Sequence, residues 1–398
     1  MPVYGQFSDA YVPIMDGVGI MVQNYAAQLN KLGHRTVVIA PKVRDYEETD
    51  PFEVIRMQSV LVPNKKPYRF QMPALSPVSR RRLDRIPFDL VHAHSPFVAG
   101  AEAQRVARRL EIPLVTTFHS KHRDDFAVIF RSEWLADAIN AGIMRFYDKA
   151  DVVWTVNEST LRTMREYGHQ GRVEIVPNGC DMAERRCDAA EAAAFVQARC
   201  GVAPDVPVAL FVGQMAQVKN PMLVVSACAE AMRAGSRCHL LMIGEGPHLQ
   251  SLRELAAQVG IADRAHFLGV IRDRDAMARC YARANLFVFP SLYDNAPLVV
   301  REAASMGCPS LLLRGANAAE GVVHGENGFL ADSAALAPFS RQLFELLARP
   351  DALQAAGARA RETLAFSWES VVRQVADRYG EIVREYAARP VKKRRSQM

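Results

Sequence analysis

Short apolar runs rich in Val, Ile and Leu alternate with segments of helical period along the chain, and this alternation restricts the possible folds more than any other feature. Strands joined by helices form βα units, and the strands of such units lie parallel in one sheet. The pattern occurs twice, which predicts an α/β fold with two Rossmann-like domains, each built on a parallel sheet. The predicted strands are residues 35–40, 89–94, 113–119, 151–156 and 173–179 in the first half, and 206–213, 239–246, 265–270, 286–291 and 309–314 in the second.

The length of the chain also favours two domains, because 398 residues exceed what one hydrophobic core usually serves. We place an N-terminal domain over residues 1–180 and a C-terminal domain over residues 181–366. Within the second domain, the polar and Ala-rich stretch 183–201 is interpreted as a linker with a surface helix. A last amphipathic helix over 367–388 can pack on its own domain or reach back to the first, and a basic, disordered tail is expected over 389–398.

The glycine and lysine residues of the loops favour an anionic ligand. Ligands of such sheets bind at the carboxyl ends of the strands, so two sheets facing each other would bind a ligand in the cleft between them. Gly17 and Gly19 form no dinucleotide fingerprint, because Val22 stands where the third glycine would be. A helix starting near Gly17 instead offers backbone N–H groups to a phosphate, and Lys219, just past a predicted strand, can reach the same cleft as a point charge.

Composition excludes several classes of protein. Hydrophobic residues make up 49% and charged residues 23% of the chain, as in ordinary globular proteins. No window approaches 18 uninterrupted apolar residues, and the N-terminus lacks the features of a secretory signal, so neither a transmembrane helix nor export is expected. Seven cysteines without a CxxC pair favour a reduced, cytoplasmic protein without a zinc site.

The net charge of +6 is unevenly spread along the chain. Between positions 65 and 85 there are seven basic residues and a single acidic residue, Asp84. The basic residues are Lys65, Lys66, Arg69, Arg80, Arg81, Arg82 and Arg85. This stretch fits either a solvated surface or docking to an anionic surface, such as the inner face of the cell membrane or a charged polymer. No nucleic-acid-binding motif accompanies the charge, so nucleic acid is not an expected partner.

Residues 289–307, FPSLYDNAPLVVREAASMG, place a carboxylate in the middle of an apolar helix. Pro297 suits the first helical position and Gly307 the C-cap, so Glu302 shares a face with the apolar residues one turn earlier. Burial of an unpaired carboxylate is costly, and Glu302 therefore needs hydrogen-bond donors. These are either protein groups or ligand hydroxyls, for example the diol of a ribose. Asp294 precedes the helix and, together with the exposed N–H groups at the start of that helix, lines one wall of the expected ligand site.

Three histidines stand at the ends of predicted strands of the first domain. His119 ends one strand, and His92 and His94 end its neighbour. We expect one of the three to be functional. No carboxylate lies at ligand spacing apart from Asp124 and Asp125, so we do not expect a metal site.

Taken together, the motifs resemble those of the retaining glycosyltransferases of family 4, which have the GT-B fold. The resemblance covers about residues 1–388 and rests on the order of six segments. These are FSDAYVPIMDGVGIMV, PFDLVHAHSPF with IPLVTTFHS, ADVVWTVNEST with VEIVPNGCD, FVGQMAQVKNP, SLYDNAPLVVREA, which is similar to the E-x7-E motif of the family, and HGENGFLA.

The resemblance implies a hexosyltransferase that uses a nucleotide-sugar donor (UDP-glucose, another UDP-sugar or GDP-mannose) and needs neither a metal nor a cofactor. The donor would be bound mainly by the C-terminal domain, with retention of anomeric configuration and without a firmly assigned protein nucleophile. The resemblance implies that Glu302 binds the ribose hydroxyls and that Lys219, in the segment that contains Gln214, binds the diphosphate. Gly17 would contact the phosphate or acceptor side, and His119 would contact the donor sugar. Asp294, with the amides that follow it at Asn295, Ala296 and Leu298, would bind the sugar hydroxyls.

Two departures from the family pattern stand in the donor segments. Gln214 occupies a position where the family usually has Arg, which weakens the expected cationic clamp. Asp294 replaces the commoner Glu and is one methylene shorter. These departures leave a non-catalytic nucleotide-sugar-binding protein as an alternative to the enzyme.

The acceptor implied by the resemblance is a membrane lipid, because the opening segment and FHSKHRDDF are most similar to those of diacylglycerol glucosyltransferases and phosphatidylinositol mannosyltransferases. A peripheral location on the inner face of the cell membrane, reached through the basic stretch, agrees with this acceptor. A glycosyltransferase of capsule or exopolysaccharide synthesis is the alternative.

Overall fold

The computed structural model describes residues 1–14, 17–62, 67–119, 122–294 and 296–390. The chain forms two compact units, one combining Met1–Gly179 with the segment that starts at Trp368, and the other comprising Cys180–Ser367. The chain thus leaves the first unit once and later returns to it. Each unit contains a parallel sheet with helices on its faces, so the predicted α/β class with two Rossmann-like domains is confirmed.

The first unit is built on a seven-stranded parallel sheet with the strand order β3-β2-β1-β6-β7-β8-β9. Its strands are β1 (Val3–Phe7), β2 (Arg35–Pro41), β3 (Glu53–Met57), β6 (Leu90–Ala93), β7 (Leu114–Phe118), β8 (Val152–Thr155) and β9 (Val173–Ile175), and an antiparallel hairpin of β4 (Ser59–Leu61) and β5 (Arg69–Gln71) follows β3. Its first helices are α1 (Gly17–Lys31), α2 (Pro77–Asp84), α3 (Val98–Leu110), α4 (His122–Phe130), α5 (Glu133–Asp148) and α6 (Glu158–Glu166).

The second unit is built on a six-stranded parallel sheet with the order β12-β11-β10-β13-β14-β15. Its strands are β10 (Val208–Val212), β11 (His239–Ile243), β12 (Ala265–Phe267), β13 (Leu286–Val288), β14 (Ser310–Leu313) and β15 (Phe329–Ala331). Its helices are α7 (Ala189–Cys200), α8 (Pro221–Arg233), α9 (Leu249–Gln258), α10 (Arg274–Arg283), α11 (Leu298–Ser305), α12 (Leu336–Leu347) and α13 (Pro350–Thr363). The stretch 183–201 contains α7, which packs on α10 within this unit.

The last helix, α14 (Trp368–Ala388), belongs to the first unit. Its apolar stripe is buried with residues of α1 and of the sheet in one hydrophobic cluster, in which Tyr379 is fully buried. A second cluster, on the other face of the sheet, contains α3. The final residues 391–398 of the predicted tail lie outside the described residues.

Each of the ten predicted strands coincides with an observed strand to within a few residues at either end, whereas β1, β3, β4, β5 and β15 were not among the ten. The missed strands have three to five residues. A run this short carries too few alternations to be distinguished from a loop, and its stability depends on the strand with which it pairs.

Candidate active site

Two loops at the carboxyl end of the second sheet pack tightly against each other. The loop after β10 donates its Gly213 N–H to the Ile243 carbonyl at 3.0 Å, and the Met215 N–H donates to the Glu245 carbonyl at 2.9 Å. Gly244 has φ +133°, and a Cβ there would lie 2.0 Å from the Gly213 carbonyl oxygen. Only glycine fits this contact. The sequence analysis did not identify this role of Gly244.

Lys219 and Asp294 form an ion pair beside these loops. The Lys219 Nζ lies 2.5 Å from Asp294 Oδ1 and 3.4 Å from the Tyr293 carbonyl, while the Ser291 hydroxyl donates to Asp294 Oδ2 at 2.6 Å. Both charged side chains are less than one-fifth exposed. The structure therefore brings together two predicted site residues that the sequence separates by 75 positions. Gln214 is exposed in the loop after β10.

Glu302 is buried on α11, and protein groups bond both of its oxygens. Oε1 accepts from Arg274 Nη2 at 2.5 Å, and Oε2 accepts from the Tyr281 hydroxyl at 2.8 Å. Arg274 also binds Asp181 in a bidentate manner, at 2.8 and 2.6 Å. Of the two kinds of donor that the sequence left open for Glu302, the structure shows protein groups. We call Asp181, Arg274, Tyr281 and Glu302 the carboxylate cluster.

The electrostatics of the carboxylate cluster favour a charged Arg274. Burial lowers the pKa of Arg274, but the hydrogen bonds and charges of Asp181 and Glu302 outweigh this and raise it. Burial, together with the charge of Glu302, raises the pKa of Tyr281 well above its ordinary value. Tyr281 is thus a neutral donor, and the two carboxylates with one guanidinium retain a net negative charge.

The helix that carries Glu302 begins one residue later than predicted. Pro297 is the N-cap rather than the first helical residue, because its ψ of 122° is extended, and α11 runs from Leu298 to Ser305. Gly307 follows with φ +72°, the left-handed conformation expected at a helix end. Leu298 and Ala296 are half-buried at the start of the helix. Asn295, also a predicted donor residue, lies outside the described residues.

The rings of the three predicted histidines lie next to one another at the carboxyl end of the first sheet, and we call them the histidine cluster. The rings of His92 and His94 are 3.9 Å apart, and those of His94 and His119 are 5.7 Å apart and nearly parallel. Burial lowers the pKa of His92 and of His94 well below the ordinary value, and that of His119 to about 3, with a further contribution from His122. All three rings are therefore neutral near pH 7.

Gly17 is the first residue of α1 and is exposed, and a Cβ there would meet nothing within 4 Å. The steric need for glycine lies instead at Gly19, whose Cβ would stand 3.1 Å from the Tyr11 backbone. The sequence did not identify Asp9 either. Its carboxylate accepts from the Ala99 N–H at the start of α3 at 3.1 Å, and burial raises its pKa to about 6.

Some of the basic residues between positions 65 and 85 are paired with other side chains, so only part of their charge is available to bind an anionic surface. Lys65 and Lys66 lie outside the described residues. Arg80 pairs with Glu102, Arg82 with Glu53, and Arg69 donates to Ser59. Arg81 and Arg85 on and after α2 are exposed, and in the described ranges no acid pairs with them.

Exposed apolar side chains lie close to these arginines in the sequence. Leu75 and Val78 are 62% and 76% exposed. The hairpin of β4 and β5 adds Val60, Leu61 and Phe70. Among the described residues no helix is long and apolar enough to span a bilayer, and no group of three or more potential metal ligands occurs in the described part of the chain.

A parallel sheet with flanking helices in each unit defines a two-domain α/β protein of the GT-B class. HepE of Anabaena, solved in complex with UDP, aligns with a TM-score of 0.77 at 15% identity, covering 96% of this chain and 100% of that one. The same protein has been solved with UDP-glucose. At this identity the likeness shows the fold alone.

Sequence comparison defines the family. A family model described as Glycosyltransferase Family 4 matches residues 15–184, and one described as Glycosyl transferases group 1 matches residues 197–363. The D-inositol 3-phosphate glycosyltransferase of Geodermatophilus obscurus is 30% identical over 76% of this chain and 68% of its own length. The alpha-monoglucosyldiacylglycerol synthase of Streptococcus pneumoniae is 24% identical over 77% of this chain and 69% of its own. The chain belongs to glycosyltransferase family 4 and is a glycosyltransferase, which confirms the resemblance seen in its motifs.

Proposed function

We propose that the protein is a retaining glycosyltransferase that moves a hexose from a nucleotide-sugar donor to a membrane lipid. The observation that carries the donor assignment is the Lys219–Asp294 ion pair at the carboxyl end of the second sheet, together with the buried Glu302. A cation and carboxylates at this end suit a ligand with a diphosphate and several hydroxyls. The solved complexes of HepE with UDP and UDP-glucose support a donor of this class.

In the proposed reaction Lys219 stabilises the negative charge that develops on the diphosphate as the bond between the anomeric carbon and the phosphate oxygen breaks. The acceptor oxygen forms the new bond on the same face of the sugar, and its proton passes to the leaving phosphate. Asp294 bonds the sugar hydroxyls and orients the Lys219 ammonium. The reaction requires no metal or cofactor, since this lysine and the backbone amides supply the positive potential.

Glu302 can serve the ribose although protein donors already bond both oxygens. Each carboxylate oxygen has two lone pairs, and Arg274 and Tyr281 use one on each. The remaining lone pairs can accept from the 2′ and 3′ hydroxyls, while His119 contacts the donor sugar and Gly17 the phosphate or acceptor side. The carboxylate cluster thus holds Glu302 in one orientation before the nucleotide binds.

Transfer to defined acceptors tests this function. The protein is incubated with UDP-glucose, UDP-galactose, UDP-N-acetylglucosamine or GDP-mannose, each with diacylglycerol in anionic vesicles, with inositol phosphate, or with an oligosaccharide. We expect transfer from at least one donor to diacylglycerol, with an α-linked product by NMR from an α-linked donor. Transfer to the oligosaccharide alone would support capsule or exopolysaccharide synthesis instead. Absence of both transfer and donor hydrolysis across the panel would overturn the proposal. The named relatives are enzymes, so we do not favour the non-catalytic alternative.

A cytoplasmic protein bound peripherally to an anionic membrane would bring the catalytic domain to a lipid acceptor. Arg81 and Arg85 supply the free charge, and the exposed Leu75 and Val78 supply apolar contact with the bilayer interface. Alanine at both arginines is expected to weaken binding to phosphatidylglycerol vesicles by about 2 kcal/mol, at about 1 kcal/mol per basic residue. Vesicle co-sedimentation measures this change.

A matched control for the membrane experiment replaces Arg341 and Arg349, two exposed arginines of the second unit. This control removes the same charge and is expected to retain vesicle binding. Equal losses in the two double variants would mean that only the net charge matters. Unchanged binding of the Arg81 and Arg85 variant would exclude α2 as the docking element.

A further inference from the structure

A tyrosine of the C-terminal helix bonds to the histidine cluster of the first unit. The Tyr379 hydroxyl lies 2.5 Å from His92 Nδ1 and 3.3 Å from Gln6 Nε2. Gln6 Oε1 lies 2.7 Å from His94 Nε2, and His92 Nε2 lies 2.7 Å from the Thr117 hydroxyl. We propose that Tyr379 is a positioning residue for the sugar-transfer site: through Gln6 it fixes the tautomer of His94, the ring on which His119 stacks.

The directions of these hydrogen bonds follow from the chemistry of each group. The Gln6 amide nitrogen can only donate, so it donates to the Tyr379 oxygen, and the Tyr379 proton is left for His92 Nδ1. The Gln6 carbonyl oxygen can only accept, so His94 Nε2 must carry its proton. One tyrosine hydroxyl thereby selects both the orientation of the Gln6 amide and the Nε2–H tautomer of His94.

The selected tautomer leaves a lone pair on His94 Nδ1, which is buried and has no hydrogen-bond partner among the described residues. Without the Gln6 bond, His94 could adopt either tautomer, and the electron distribution of the ring facing His119 would change with it. Both neighbouring rings are neutral, so the interaction is sensitive to dipole orientation rather than to charge. His119 is the residue proposed above to contact the donor sugar, and this inference rests on that proposed function.

The position of Tyr379 is itself strongly constrained. Its ring stacks on Trp154 with centroids 5.5 Å apart and an interplanar angle of 7°, and Tyr4 packs edge-on against it at 4.9 Å. On the same helix, Arg378 binds Glu174 of β9 through two hydrogen bonds of 3.1 and 2.8 Å. The C-terminal helix therefore holds the hydroxyl at a fixed point beside His92 of the histidine cluster.

The test compares Tyr379→Phe with the matched control Tyr4→Phe. Both changes remove a hydroxyl from the same aromatic cluster, but only Tyr379 bonds to Gln6 and His92. Tyr379→Phe removes both of these hydrogen bonds, and we expect loss of the one that orients Gln6 to lower kcat about five- to tenfold, with the KM for UDP-glucose unchanged. The Tyr4→Phe variant should keep kcat within twofold. A Gln6→Leu change should have the same effect as Tyr379→Phe, and the two should not add in the double variant.

A spectroscopic readout separates positioning from a merely structural role. In protein labelled with 15N-histidine, the wild type should show His94 as the Nε2–H tautomer, and Tyr379→Phe should give a mixture. Unchanged tautomer and kcat in a folded Tyr379→Phe variant would overturn the inference. The tautomer of His94 is measured without substrate, so the role of Tyr379 can be tested even if the wild type transfers no sugar. Absence of sugar transfer by the wild type would contradict the proposed function alone.

Discussion

Lys219→Ala is expected to reduce UDP affinity by about 2 kcal/mol or more, roughly thirtyfold, the usual minimum for removing one partner of a desolvated charge pair. Two effects act in the same direction. The diphosphate loses its cation, and Asp294, which is 17% exposed, is left facing the ligand with its negative charge uncompensated. Isothermal titration with UDP measures the affinity, and kcat/KM for the donor measures the effect on catalysis.

Two further variants define the contribution of each charge at this pair. Asp294→Asn combined with Lys219→Ala should recover part of the lost UDP affinity, because the unpaired carboxylate is removed. Gln214→Arg should strengthen UDP binding, since it adds the cation that the family usually has at this position. UDP affinity of Lys219→Ala equal to that of the wild type would contradict the assignment of Lys219 to the diphosphate.

Glu302→Gln is expected to weaken the discrimination between UDP and its 2′,3′-dideoxy analogue. A hydrogen bond to a charged group contributes about 1.5–3 kcal/mol, so the wild type should lose affinity by that amount or more when the ribose hydroxyls are removed. The Gln variant keeps the shape but replaces the charged acceptor with a neutral amide that retains one acceptor oxygen, so its discrimination should fall to about 0.5–1.5 kcal/mol. Titration of the two ligands with the two proteins completes the cycle.

The control for Glu302→Gln is Tyr281→Phe, which removes a donor to Oε2 but leaves the carboxylate and its Arg274 bond. This variant should be less stable, by about 1 kcal/mol for the lost hydrogen bond, yet should still discriminate between the two nucleotides. If Glu302→Gln is folded and retains the discrimination, Glu302 is a structural residue of the carboxylate cluster, and the ribose assignment is wrong.

The sequence predicted most of the fold because its strong signals are local. Ten of the strands were visible as apolar runs of six to eight residues, and the position of α11 followed from Pro297 and Gly307 to within one residue. The strands outside the list, β1, β3, β4, β5 and β15, have three to five residues, and their stability comes from pairing with other strands. Local periodicity contains no information about such pairing.

In the candidate site, too, the sequence predicted the local features but not the contacts between distant residues. The residue types at the strand ends identified the family and placed His119, Lys219, Asp294 and Glu302 at the carboxyl ends of their sheets. The sequence also showed that a carboxylate on an apolar helix needs donors. It did not show which groups supply them, because Arg274 and Tyr281 lie 28 and 21 positions from Glu302 on another helix.

The sequence by itself therefore determined the α/β class, the family and the residues that face each strand end, since period and local turn chemistry act over a few positions. Tertiary structure alone decided the pairing of Lys219 with Asp294, the protein donors of Glu302, and the return of α14 to the first unit, where Tyr379 meets His92 across 287 positions. These contacts depend on how whole elements pack, and packing joins residues whose separation along the chain no local pattern can encode.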